Sequence, residues 1–155
     1  KDGWLYTGDN AFRDEEGFFY FVDRKKDVIR RRGENISSAE IESVVDGHPK
    51  VLESAVIGVP SDISDEEVKL LIVPRPGAAI DPEEIFRWCR ERLARFKVPR
   101  YLEIRDSFPR TPTHKVEKYK LRQEGHDPTR CIDRETLQKE QEVKPHCPVL
   151  PEEKP

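Results

Sequence analysis

The chain has 155 residues, of which 38% are charged, 35% hydrophobic and 8% aromatic, and its formal net charge is −3. This length suits one domain, or one domain and a fraction of a second. The acidic balance argues against a nucleic-acid-binding protein, and no apolar run reaches the roughly 18 residues that cross a membrane.

The start of the chain indicates part of a longer protein, and the cysteines indicate its cellular compartment. The chain begins at Lys1, contains no methionine and opens without the apolar segment of a signal peptide. We therefore expect an internal or C-terminal piece of a longer protein. Cys89, Cys131 and Cys147 are too few and too widely spaced for a disulfide framework, which predicts reduced thiols in a cytoplasmic protein. Cys131 and Cys147, with His146, also lack the spacing of a zinc site, so no metal site is expected.

The first predicted element is a pair of strands within residues 4–23. Aromatic, strand-favouring residues occupy positions 18–22. Five charged residues at 23–27 then interrupt the apolar pattern. Residues 30–36 predict two short strands around a turn at Gly33.

A helix is predicted next, because Ser37 and Glu40 have the spacing of a capping box. Gly47 ends the apolar pattern of this helix. Residues 51–59 and 68–73 follow as two strands, which we expect to be antiparallel because the connection is too short for a crossover helix.

The clearest local signals belong to a second helix. Asp81 and Pro82 suit the N-cap and the first helical position. An apolar stripe with a 3.6-residue period reaches Phe96, and Pro99 ends the pattern. A third strand at 101–104 completes the order α-β-β-α-β, which predicts an α+β domain with a short antiparallel sheet flanked by helices.

The composition changes from residue 123 onward. Residues 123–155 are rich in proline and charge and contain few apolar side chains. Such a segment buries too little apolar surface to offset the entropy of ordering, so we expect a mostly disordered tail.

Three segments carry residues with possible chemistry. Residues 7–9 either form an ordinary Asx-type turn or let Asp9 accept hydrogen bonds from sugar hydroxyls. The basic residues within 24–32 have three interpretations: a solvated face, a site for a phosphate-bearing ligand, or a nucleic-acid-binding patch. Lys115, in the proline- and threonine-rich segment 108–118, is either a surface lysine or a cation that a mobile loop delivers to a phosphate.

The motifs occur in a recognisable order, at residues 6–9 (YTGD), 23–29 (DRKKDVI), 33–36 (GENI) with 40–42 (EIE), and 109–116 (PRTPTHKV). In this order and spacing they resemble the C-terminal motifs of the adenylate-forming superfamily. That superfamily includes acyl-CoA synthetases, luciferases and peptide-synthetase adenylation domains. The resemblance covers residues 3–122 and is strongest to bacterial-type acyl-CoA ligases of the crotonobetaine/carnitine and fatty-acid groups.

The resemblance implies a domain organisation. Residues 1–23, with their β-hairpin, correspond to the C-terminal end of a large N-terminal adenylation domain, and residues 24–27 correspond to a hinge. Residues 28–122 correspond to a mobile, small C-terminal domain, which the tail at 123–155 follows.

The resemblance also implies an acid–thiol ligase of the EC 6.2.1 type. In such enzymes a small-molecule carboxylic acid attacks the α-phosphorus of ATP and forms acyl-AMP. The C-terminal domain then rotates, and the thiol of CoA displaces AMP. Mg²⁺ is expected to accompany ATP, bound through the upstream N-terminal domain of the same chain. Neither nucleic acid nor a transmembrane segment is expected.

Four residues carry the implied adenylation chemistry. Lys115 matches the lysine that neutralises charge on the α-phosphate, and His114 stands before it where the family usually has glycine. Asp9 matches the aspartate that binds the ribose hydroxyls. Arg24 matches the arginine near the nucleotide.

The implied second step uses other residues. Lys26 matches the residue about which the domain turns. The loop that lines the pantetheine tunnel of CoA after rotation is matched by Gly33, Glu34 and Asn35.

Two alternatives to a CoA ligase stay open. In the first, the acyl group passes to the pantetheine of a carrier protein rather than to free CoA. In the second, the chain is a truncated, non-catalytic interaction domain. No segment resembles the phosphate loop, the adenine pocket or the carboxylate pocket of the family. The chain is therefore not expected to be active alone.

Overall fold

The computed structural model describes residues 2–63 and 65–142, except for the side chains of residues 140–142. No helix among the described residues has the length and apolar composition that crossing a lipid bilayer requires. The elements are β1 (Asp9–Arg13), β2 (Phe19–Arg24), β3 (Val28–Arg31), β4 (Glu34–Ser37), α1 (Ser38–Asp46), β5 (Val51–Pro60), β6 (Glu66–Pro74), α2 (Pro82–Arg92), β7 (Tyr101–Ile104), α3 (Lys118–Gln123), β8 (Ile132–Asp133) and α4 (Arg134–Glu142).

Two small hairpins come first. Strands β1 and β2 pair antiparallel, as do β3 and β4, and the 3₁₀ turn Lys25–Asp27 joins the hairpins. Arg32 and Gly33 form the β3–β4 turn with φ angles of 51° and 83°. Two consecutive positive φ angles are what a type I′ turn requires. The predicted pair of short strands around Gly33 is therefore confirmed.

The main sheet has four strands in the order β5-β6-β7-β8. The α+β fold class is confirmed, and β5 and β6 pair antiparallel as predicted. The sheet is mixed rather than purely antiparallel, because β7 runs parallel to β6. Helix α2 lies between these two strands in the chain, and a connection of that length permits parallel pairing.

Strands β5 and β6 are covered on both faces, which explains their continuous apolar runs. One cluster joins Val56 and Leu70 to side chains of α1 and α2. The second cluster joins Ile57 and Leu71 to Phe108 and to Leu121 of α3. Helix α3 and the segment before it are thereby held on the sheet face opposite α1 and α2.

The capping-box prediction for α1 is wrong. The helix does begin after Ser37, but the Ser37 side chain makes no capping hydrogen bond. The Ser37 hydroxyl donates to the Asp23 carboxylate at 2.8 Å instead. Glu40 pairs with Lys97 at 2.7 Å. The acceptor at this helix terminus comes from β2, which a local motif search does not find.

The N-terminus of α2 confirms the predicted signals. Asp81 accepts a hydrogen bond from the backbone N–H of Glu83 at 3.0 Å, and Pro82 occupies the first helical position. The helix ends earlier than predicted, at Arg92, and residues 95–97 form a separate 3₁₀ turn. Phe96 is consequently 42% exposed rather than part of the buried stripe.

The expectation of a disordered tail is wrong for residues 123–142. Ile132 pairs with Leu102 of β7 and packs against the core. Asp133 forms an ion pair with Arg100 at 3.1 Å. These contacts supply the apolar burial that the average composition of the segment conceals. Residues 143–155 lie outside the described residues.

The β1–β2 hairpin exposes aromatic side chains on both of its faces. Phe19 and Phe21 are 75% and 62% exposed, and on the other face Phe12 stacks on Tyr20 with ring centroids 4.9 Å apart. None of these side chains belongs to either core cluster. Exposed apolar surface of this kind is typical of an interaction site.

Candidate functional site

Asp9 and Arg24 face each other at the open end of the β1–β2 hairpin. They are register partners, and Arg24 Nε lies 3.5 Å from Asp9 Oδ1. The Thr7 hydroxyl accepts a hydrogen bond from the Asp9 N–H at 3.2 Å, so the segment does form a local turn. Both charged side chains are partly exposed. An exposed pair contributes at most about 1 kcal/mol, so a ligand can replace it at little cost.

Lys115 lies in a small, closed loop. The Thr111 N–H donates to the Lys115 carbonyl, and the His114 N–H donates to the Thr111 carbonyl, both at 2.9 Å. An antiparallel bridge between Arg110 and Val116 closes the loop. The Lys115 side chain is exposed, and its ammonium forms no ion pair with any described residue. The loop therefore exposes the Lys115 ammonium on a backbone that hydrogen bonds hold in place.

The backbone of His114 is in the left-handed region, with a φ of 63°. This conformation costs residues other than glycine roughly 1–2 kcal/mol of folded-state free energy. Replacement by glycine removes that cost, but the larger conformational entropy of glycine in the unfolded chain offsets roughly 0.5–1 kcal/mol of the improvement. We expect His114→Gly to raise the free energy of unfolding by about 0.5–1 kcal/mol in a urea titration. His114→Val is the matched variant and should lower it. Equal stability of the two variants would contradict a strained turn.

One groove of about 420 Å³ brings three of the predicted residues together. Arg24, Lys26 and Lys115 line it, from the hairpin end, the 3₁₀ turn and the closed loop respectively. Its volume falls within the roughly 300–1,000 Å³ of small-molecule sites. Lys118 and four carboxylates, those of Asp23, Asp27, Glu42 and Glu117, line the groove as well. Three of these carboxylates are paired, Asp27 with Arg122, Glu42 with Lys118 and Glu117 with Lys120, so an anionic ligand would meet mainly the predicted cations.

A part-buried polar network forms part of the lining of this groove. Lys118, three residues after Lys115, donates to Ser38 Oγ and Glu42 Oε2, each at 2.9 Å. Glu42 also accepts from the Val56 N–H at 2.6 Å. Burial raises the pKa of the Glu42 carboxyl, and the Lys118 ammonium opposes that shift. Glu42 and Lys118 belong to two of the segments noted in the sequence, 40–42 and 108–118, but the contact between them was not predicted, because they are 76 residues apart.

A second ion pair ties α3 to the 3₁₀ turn. Arg122 donates to Asp27 Oδ1 at 2.7 Å, and Asp27 is almost fully buried. Lys26, the neighbour of Asp27, stays exposed. The helix that follows Lys115 is therefore anchored directly to the segment that was predicted to be the hinge.

The predicted CoA loop lies apart from the Lys115 groove. Gly33, Glu34 and Asn35 are exposed at the β3–β4 turn, and none of them lines that groove. Asn35 instead lines a separate shallow groove of about 430 Å³ together with Val22 and Lys25. Lys115 and Asn35 thus line two different grooves, which meet at Asp23.

A larger cavity, of about 680 Å³, holds none of the predicted site residues. It lies between the β5–β6 loop, the start of β7 and the segment 126–136, and Cys131 lines it. No group of three or more His, Cys, Asp or Glu side chains among the described residues is placed to hold a metal ion. His146 and Cys147 lie outside the described residues.

Comparisons with known proteins find related domains and folds. Residues 40–115 match the family of AMP-binding enzyme C-terminal domains. The crotonobetaine/carnitine–CoA ligase of Salmonella arizonae is 48% identical over 121 residues, which are 78% of this chain and 23% of that ligase. The chain thus spans about a quarter of the length of the relative it matches.

Two solved structures have the same fold over most of the chain. ATP-bound MatB from Rhodopseudomonas palustris superposes with a TM-score of 0.75 and 38% identity, covering 79% of this chain and 24% of MatB. The o-succinylbenzoate-CoA synthetase MenE from Bacillus subtilis, in complex with its acyl-adenylate intermediate, gives 0.73 and 36%, covering 79% and 25%.

Proposed function

Residues 40–115 form an AMP-binding enzyme C-terminal domain, and from this premise we propose that the chain is the C-terminal part of an ATP-dependent acyl-CoA ligase. In the first proposed step, a carboxylate oxygen attacks the α-phosphorus of ATP, which gives acyl-AMP and releases pyrophosphate. In the second step, the thiol of CoA attacks the acyl carbonyl, loses its proton and displaces AMP. The product is an acyl-CoA thioester.

The groove shared by Arg24, Lys26 and Lys115 is the observation that carries this proposal. Reactions at phosphorus depend on positioning and on neutralising charge far more than on covalent help from the protein. Lys115 would neutralise charge on the α-phosphate, and Arg24 would lie near the nucleotide. Asp9, beside Arg24, would accept hydrogen bonds from the ribose hydroxyls.

The separation of the two surfaces supports a rotation between the steps. Lys115 faces one groove, whereas Asn35 lines another. We propose that residues 28–122 rotate about Lys26, so that Lys115 leaves and Gly33, Glu34 and Asn35 approach to line the pantetheine tunnel. A rotation of this kind lets one chain assemble two sites in succession.

The exposed aromatic faces of the β1–β2 hairpin support a larger protein around this chain. An N-terminal adenylation domain packed on the hairpin would cover them. The adenine and carboxylate pockets would belong to that domain. Mg²⁺ would enter with ATP and be bound through that domain.

A chimeric ligase tests the proposal. The whole 155-residue chain would replace the segment of the Salmonella arizonae ligase to which it aligns, and AMP release would be measured with crotonobetaine or carnitine, with and without CoA. We expect AMP release that requires both the acid and CoA. The same ligase without the segment is the baseline.

Two outcomes would count against the proposal. A folded chimera whose AMP release stays at the baseline would contradict a ligase role and favour a non-catalytic interaction domain. Acyl-AMP formation without saturation by free CoA, but with transfer to a pantetheine-bearing carrier protein, would replace CoA by a carrier as the acceptor.

A further inference from the structure

Asp23 is a buried carboxylate that the proposed mechanism has not used. It is the penultimate residue of β2 and is only 3% exposed. Its Oδ2 atom accepts from the Ser38 N–H and the Ser37 hydroxyl, each at 2.8 Å. These donors lie at the N-terminus of α1, where side-chain acceptors stabilise a helix. Asp23 is therefore the cap of α1, supplied from a different element.

The contact between Asp23 and α1 crosses the segment that we propose as the hinge. Asp23 precedes Lys26 in the chain and belongs to the β1–β2 hairpin, whereas Ser37 and Ser38 follow Lys26. A rotation of residues 28–122 about Lys26 would carry Ser38 away from Asp23. The cap is consequently compatible with one orientation of the hairpin and the domain.

The same cap is joined to the helix that follows Lys115. Ser38 Oγ lies 3.3 Å from Asp23 Oδ2, and it also accepts from Lys118 Nζ at 2.9 Å. Asp23 lines the groove that contains Arg24 and Lys115. The orientation in which Asp23 caps α1 is thus the one in which Lys115 and Arg24 share a groove.

We propose that Asp23 is a positioning residue that selects the adenylation orientation. This inference rests on the proposed function. Its carboxylate stabilises the arrangement that places Lys115 beside Arg24, and the cap is released when the domain rotates for the CoA step. Asp23 contacts neither the nucleotide nor the acyl group in this role.

The two half-reactions of the chimeric ligase test the proposal. Asp23→Ala is expected to slow acid-dependent pyrophosphate release roughly tenfold, which corresponds to the loss of one helix cap. Thioester formation from supplied acyl-AMP and CoA should be unchanged or faster. Asp23→Asn keeps an oxygen that accepts from the Ser38 N–H, so it should restore most of the first half-reaction.

Asp81→Ala is the matched control, because Asp81 caps α2 without crossing the hinge. It should lower stability and leave the ratio of the two half-reactions unchanged. Should Asp23→Ala not fold, Ser37→Ala removes one donor to Asp23 and should shift the ratio in the same direction by a smaller factor. Equal slowing of both half-reactions by the Asp23 variants, or no change, would overturn the proposal. An inactive parent chimera would instead contradict the proposed function itself.

Discussion

Replacing Lys115 with alanine in the chimeric ligase is expected to slow acid-dependent pyrophosphate release by roughly 10²- to 10³-fold. That is the usual effect of removing one preorganised group that stabilises developing charge. Thioester formation from supplied acyl-AMP and CoA should be unchanged, because none of Gly33, Glu34 and Asn35 lines the Lys115 groove. The measurement is the rate of each half-reaction, assayed separately.

Lys139→Ala is the control for this variant. Lys139 is an exposed lysine on α4 that does not line the Lys115 groove. It should leave both half-reactions close to those of the parent chimera. Equal loss of the two half-reactions in Lys115→Ala would remove the role given to Lys115 and indicate a general defect in folding or docking.

Elements with local signals were predictable from the sequence. Asp81 and Pro82 lie next to each other at the start of α2, and both perform the roles that their positions predict. The apolar runs of β5 and β6 likewise determine two strands with a short connection. Such features depend on residues a few positions apart, which sequence patterns describe well.

Features that depend on distant partners were not predictable. Ser37 and Glu40 have the spacing of a capping box, yet Asp23 caps α1 from 15 positions before Ser38. Lys69 reads as an interruption in an apolar strand, but it is fully buried beside Glu103 of β7, with Lys69 Nζ 2.7 Å from Glu103 Oε2. A buried charge is tolerable only when its partner is in place, and the chain alone does not name that partner.

The candidate site also contains both predictable and unpredictable features. The motifs predicted Arg24, Lys26 and Lys115, and the structure places them on one groove. Glu42 and Lys118 also lie in segments noted in the sequence, but the contact between them was not predictable, because the two residues come from separate elements. The groups with the proposed chemistry were therefore predictable from the sequence, whereas the contacts between distant residues around them were not.

Phe86→Ala is expected to lower the free energy of unfolding of the 155-residue chain by about 3–5 kcal/mol, measured by denaturant titration. Phe86 is 1% exposed and packs between α2 and the sheet, so its removal leaves a cavity as well as lost apolar burial. The predicted apolar stripe was instead extended to Phe96, beyond the end of α2 at Arg92.

Phe96→Ala distinguishes the two descriptions of this helix. Phe96 is 42% exposed on the 3₁₀ turn after α2, so its replacement should change stability by no more than about 0.5–1 kcal/mol. The continuous stripe from sequence analysis requires instead that Phe96 contributes as much as a core residue. A large loss in Phe96→Ala with a small one in Phe86→Ala would mean that α2 continues to Pro99 and that its buried face is rotated from the one described.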